Sequence, residues 1–166
     1  MVPGVASWKA IAKAKPRSST DAEMASWRAR KQYIGQLELL AAVAVYYSLR
    51  DRLRGRRVIH FIDNSGAAAS LVKDYSRDED SALIVNTFWA AACALDVDVW
   101  FEFVYSEANI ADWPSRGQVD FAAELGARAD VRMQLPAIDT WGDVEPTLGL
   151  AAEAAEIPPP KRRRRR

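Results

Sequence analysis

Val58-Ile59-His60-Phe61-Ile62-Asp63 is a run of β-branched and aromatic residues, apolar toward both sides, and its surroundings decide the fold. Such a run suits an interior strand of a parallel sheet. Upstream, the stretch from Gln36 to about Leu53 is rich in Ala and Leu, has neither Gly nor Pro, and is apolar almost all round. It predicts a largely buried helix, stopped by Gly55-Arg56-Arg57. Downstream, Asn64 to Lys73 opens with cap-type residues and continues with helix formers. Asp78 to Leu95 then begins with three acids, favourable at the positive end of a helix, and carries Leu83, Ile84, Phe88, Cys93 and Leu95. Val97 to Val104 is a second β-branched and aromatic run, Ser106 to Gly117 a polar loop, and Val119 to Arg128 a short helix.

That order, helix, strand, helix, helix, strand, loop, helix, predicts an α/β fold with a right-handed crossover between two parallel strands. Two strands do not make a stable sheet by themselves. Further strands have to come from residues 1–33, where Val5 to Ala12 is the one tolerable candidate, or from another chain.

The chain has 166 residues, 49% of them hydrophobic, enough to bury a core and too apolar for a wholly disordered protein. Its net charge of +1 hides a division. Residues 1–36 carry +5, residues 161–166 carry +6, and the stretch between carries −10. An acidic body repels a phosphate backbone, so attraction to nucleic acid must come from the basic ends or from bound cations. The single cysteine, Cys93, excludes an intramolecular disulfide and reads as a small core residue in a reducing, intracellular compartment. No apolar run approaches the roughly 20 residues that span a bilayer, so no membrane partner is expected, and no secretory signal is recognisable.

Three acids stand where the chain changes direction: Glu38 in the first turn of the long helix, Asp63 at the carboxyl end of the first strand, and Asp112 in the loop after the second. Carboxyl ends of parallel strands are where α/β sheets place ligands. Converging carboxylates repel one another unless divalent cations neutralise them, and hard oxygen ligands suit Mg²⁺ or Mn²⁺. Metal-assisted phosphodiester hydrolysis, with two ions about 4 Å apart, is the matching chemistry. Each acid also has a plain structural reading. Glu38 would favour the helix dipole, Asp63 would cap the following helix, and Asp112, before Trp113-Pro114, would cap a turn.

The three segments together resemble the ribonuclease H domains of retroelement reverse transcriptases. Gln36-Leu37-Glu38-Leu39-Leu40-Ala41-Ala42 looks like the helix of the second catalytic carboxylate, and Val58 to Ser65 like the strand that ends in the third. Asn109-Ile110-Ala111-Asp112-Trp113-Pro114-Ser115-Arg116 looks like the closing motif, whose Asp is the fourth. The resemblance covers roughly residues 32–117 and implies a ribonuclease H-like α/β fold, a short mixed sheet flanked by helices with its first strands incomplete. It further implies that Glu38, Asp63 and Asp112 ligate two Mg²⁺ or Mn²⁺ ions, that Lys73, Arg77 and Arg116 meet nucleic acid, and that the RNA strand of RNA/DNA hybrids is hydrolysed with recognition of backbone and 2′-hydroxyl.

The family's first carboxylate has no counterpart in this pattern. Asp21, in Ser18-Ser19-Thr20-Asp21-Ala22-Glu23, stands only 17 positions before Glu38 and leaves no room for the hairpin that should follow it. It reads as the start of a helix or turn. The loop after Val104 has Tyr105-Ser106-Glu107-Ala108 where cellular relatives carry a histidine, and the only histidine, His60, lies within a strand as a packed or edge residue. The expectation is a truncated retroelement domain whose hydrolysis is weakened or lost, its sheet completed by its own N-terminus, a reverse transcriptase or a partner chain. The alternative is a non-catalytic ribonuclease H-like module that binds nucleic acid or protein.

Four parts follow: a basic lead-in over 1–31, the ribonuclease H-like domain over 32–130, an irregular extension over 131–157, and a basic tail over 158–166. In the tail, Pro158-Pro159-Pro160 spaces off Lys161, Arg162, Arg163, Arg164, Arg165 and Arg166, which resemble a nuclear localisation signal and predict a nuclear protein. Trp27, Trp89, Trp100, Trp113 and Trp141 read as core or loop anchors, because nothing in the sequence groups them on one basic face.

Overall fold

The computed structural model describes residues 25–29, 33–126 and 133–136. Its elements in chain order are α1 (Ile34–Ser48), α2 (Arg50–Leu53), β1 (Arg57–Ile62), α3 (Ser65–Val72), α4 (Glu79–Ala94), β2 (Asp98–Phe103) and α5 (Val119–Glu124). The chain is therefore mixed α/β, and among the described residues its sheet has two strands. They are parallel, with Arg57 opposite Asp98 and Ile62 opposite Phe103. Val5 to Ala12, Asp21, Trp141, all of the 131–157 extension but residues 133–136, and the tail lie outside the described residues.

Local chemistry sets the boundaries. The Asn64 side chain accepts from Ala67 N at 2.9 Å and starts α3; the Asp78 side chain accepts from Ser81 N at 2.9 Å and starts α4, with Glu79 and Asp80 in its first turn. The long upstream helix is broken at Leu49, where the regular α1 gives way to the single turn of α2. Gly55 then takes φ 63, a left-handed conformation that costs glycine little, and its N–H donates to Leu95 O at 2.9 Å, tying the entry of β1 to the end of α4.

The helices cover one face of the sheet. Leu39, Leu40, Val43 and Tyr46 of α1, Leu71 of α3 and Ile84, Val85 and Phe88 of α4 form the core with Ile62, while Val99 and Phe101 pack against it. His60 belongs to this face, stacked on Tyr46 with ring centroids 5.9 Å apart and tilted against Phe101 at 5.6 Å. Burial among these aromatics lowers its pKa to about 4 and raises that of Tyr46. The Tyr46 hydroxyl is buried without a hydrogen-bond partner among the described residues.

The opposite face overturns two expectations. β1 is covered on one face only: Ile59 is 62% exposed and Phe61 58%. On β2, Trp100 is 67% exposed, so this tryptophan is no core anchor, unlike Trp27, which is buried, and Trp89, whose Nε1 donates to Leu71 O at 3.0 Å. Strict alternation explains the pattern, since every second side chain of a strand points away from the helices. Cys93 is likewise exposed and not a core residue; Ala91 and Ala92 take the buried positions on that turn of α4. No described helix is long and apolar enough to cross a membrane.

Candidate functional site

Because α1 leads through α2 into the start of β1, and α4 leads through Leu95 into the start of β2, the beginnings of both helices lie toward the carboxyl ends of the strands. A buried polar cluster joins them there. Gln36 Nε2 donates to Ser81 Oγ at 3.0 Å and to Asp78 Oδ1 at 3.2 Å, and Ser81 Oγ donates to the same Asp78 oxygen at 2.8 Å. Gln36 and Ser81 are both buried. The sequence reading passed over these two residues; the available signal was that Gln36 opens the segment containing Glu38. Close by, Arg28 pairs with Glu79 and its backbone N–H donates to Asp80 Oδ2 at 2.9 Å.

Glu38 lies just past the first turn of α1, because the helix begins two residues earlier than expected. The helix begins at Ile34, its first turn holds no acid, and the dipole explanation for Glu38 therefore fails. Asp63 is not the cap of α3, a task that falls to Asn64. Instead its Oδ2 accepts from Ser106 Oγ at 3.2 Å, across the ends of β1 and β2.

The loop after β2 folds into two short turns, Ile110–Asp112 and Pro114–Arg116, closed by Gly117 in the left-handed region at φ 82. The Asn109 side chain accepts from Ala111 N at 3.1 Å and caps the first turn. Asp112, which was expected to cap, is 3% exposed and accepts from Arg116 Nη2 at 3.1 Å; the same Nη2 donates to Ser106 O at 2.7 Å. Asp63, Ser106, Arg116 and Asp112 thus form one connected chain of hydrogen bonds, its buried carboxylate neutralised by a guanidinium. Sequence-predicted Lys73 and Arg77 are both exposed, on either side of the exposed Tyr75.

Glu38, Asp63 and Asp112 share an end of the fold without sharing a coordination point: among the described residues, no three of His, Cys, Asp and Glu are grouped so as to hold a metal ion. The described acids therefore do not fit a two-ion centre. Comparison with protein-family models, with curated proteins and with solved structures finds no match for this chain.

Proposed function

We propose that the chain is a ribonuclease H-like domain of retroelement origin that binds nucleic acid without itself hydrolysing it. The observation that carries this reading is the Asp112–Arg116 pair. A guanidinium stays charged at any physiological pH, so it already supplies the positive charge that a metal ion would bring to a buried carboxylate. An ion at Asp112 Oδ2 would have to displace Arg116 and with it the bond to Ser106 O that holds the loop. The succession of helix, strand, helix, helix and parallel strand, with motif acids after β1 and β2, supports the family assignment.

A second reading has one observation in its favour. Within the described residues β1 has a strand neighbour on one edge only, and a reverse transcriptase or other partner adding a strand there would bring further carboxylates beside Asp63. In that reading the assembly hydrolyses RNA in RNA/DNA hybrids with Mg²⁺ or Mn²⁺. The run Lys161–Arg166 is proposed as the nuclear import signal of either form.

The deciding experiment incubates the full chain with a labelled RNA/DNA hybrid and Mg²⁺ or Mn²⁺, following cleavage on a gel and binding by fluorescence anisotropy. Binding without metal-dependent cleavage is expected, for the parent and for Asp63→Asn alike. Cleavage that Asp63→Asn abolishes would establish the hydrolase instead.

A further inference from the structure

At the amino ends of the strands the charge reverses. Between residues 33 and 126 there are eight basic residues, and five of them, Arg50, Arg52, Arg54, Arg56 and Arg57, fall within one eight-residue stretch. The stretch is held in place by backbone hydrogen bonds from Gly55 N to Leu95 O and from Asp98 N to Arg56 O, each 2.9 Å. Asp51, Asp96 and Asp98 occupy the same end and leave an excess of positive charge. Arginines are expected where helices end, because terminal carbonyls attract cations. Arg50 does this, donating to Tyr47 O at 3.0 Å. Arg52, Arg56 and Arg57 are exposed beyond that need, and among the described residues the one ion pair they make, Arg57 Nε to Asp98 Oδ2 at 3.5 Å, lies in open solvent.

The outer face of the sheet begins at this turn. Arg57, Ile59 and Phe61 alternate along β1, and Asp98, Trp100 and Glu102 stand beside them in register. The Trp100 indole, one alternation from Arg57, donates from Nε1 to Glu102 Oε2 at 3.2 Å, which fixes its plane while leaving it exposed. An exposed indole beside arginines on an anchored turn is the chemistry of single-strand binding, in which guanidinium groups follow the backbone and an aromatic face stacks a base. A duplex offers no unstacked base to Trp100.

We infer that the Arg52, Arg56 and Arg57 turn, with Trp100 on the adjoining sheet face, is a binding surface for single-stranded nucleic acid, at the opposite end of the sheet from the Asp63 and Asp112 loop. The inference rests on the reading of the chain as a nucleic-acid binder and is indifferent to hydrolysis.

The test uses the full-length chain with Lys161 to Arg166 replaced by serine, so that the tail does not carry the signal. Anisotropy of a labelled oligonucleotide of about 12 residues is titrated at several salt concentrations. Combined Arg52→Gln, Arg56→Gln and Arg57→Gln should weaken binding at least about tenfold and lower the salt slope by about 2, as expected for three lost phosphate contacts at about 0.7 each. The corresponding lysine variants should restore the slope. Trp100→Ala should weaken binding about tenfold with the slope unchanged, since stacking releases no counterions. Unchanged affinity and slope in the triple glutamine variant would overturn the inference and leave the proposed function standing. A parent that binds neither the oligonucleotide nor the hybrid would overturn both. Stronger arginine-dependent binding to vesicles containing phosphatidylserine would assign the surface to membranes and overturn the inference.

Discussion

At the carboxyl ends of β1 and β2, Asp112 and Arg116 of the closing loop are bound to each other, whereas at the amino ends most of the arginines stand in solvent. Arg116 clamps Asp112 and the Ser106 carbonyl, and Ser106 in turn meets Asp63. Among the described residues, Arg52, Arg56 and Arg57 meet little beyond one exposed carboxylate. The difference teaches that the family-like motif residues here hold a loop together, and that the groups open to a polyanion lie at the other end of the same strands.

Between the two ends sits His60, and it supplies the largest expected effect. Half-buried against Tyr46, Phe88 and Phe101, it is held neutral to about pH 4, while in the unfolded chain it protonates near pH 6.5. The unfolded state therefore takes up a proton that the folded state refuses. Stability is at its full value above pH 6.5, falls as the pH drops toward 4, and levels off below, the whole loss being on the order of 3 kcal/mol. Urea midpoints measured across that range should show this loss in the parent and equally in variants of either end. A loss that vanished with the Arg116 or Arg57 substitutions would tie the pH response to the charged ends instead.

Asp112→Ala should cost about 2 kcal/mol, because it strips Arg116 of its partner and opens the loop. The value lies below that of a fully enclosed pair because the Arg116 side chain is 41% exposed. Urea denaturation checks it, and a cost under about 0.5 kcal/mol would mean that the clamp does not hold the loop. The smallest effect belongs to the opposite end: Arg52→Gln, Arg56→Gln and Arg57→Gln together should shift stability by no more than about 0.5 kcal/mol. A larger loss would make those arginines structural and erase the contrast between the ends.

Much of this was legible in the residue order. Asn64 and Asp78 announce helix starts because a cap is a bond between residues three apart, and the strand runs announce themselves through β-branched and aromatic content. Glu38 was harder, since a helix boundary shifted by two residues moves an acid out of the first turn. The placing of Asp63 at the end of a strand and of Asp112 in the loop after the next one was legible, yet the Ser106 partner of Asp63 was not. The Ser106 bond joins positions 43 apart, and nothing local to Asp63 points to it.

The sequence by itself determined the order of elements, the two parallel strands, the division of charge along the chain and the family that the motifs resemble, because each of these follows from neighbours or short periods. Tertiary structure alone decided which face of the sheet the helices cover, and hence that Trp100 and Cys93 are exposed while His60 is packed and unprotonated. It also decided that Asp112 meets a guanidinium. The physical reason is that burial is set by what packs across from a residue, which in this chain comes from an element elsewhere in the fold, while Asp112 is paired by Arg116 four positions on only because the loop folds into two short turns.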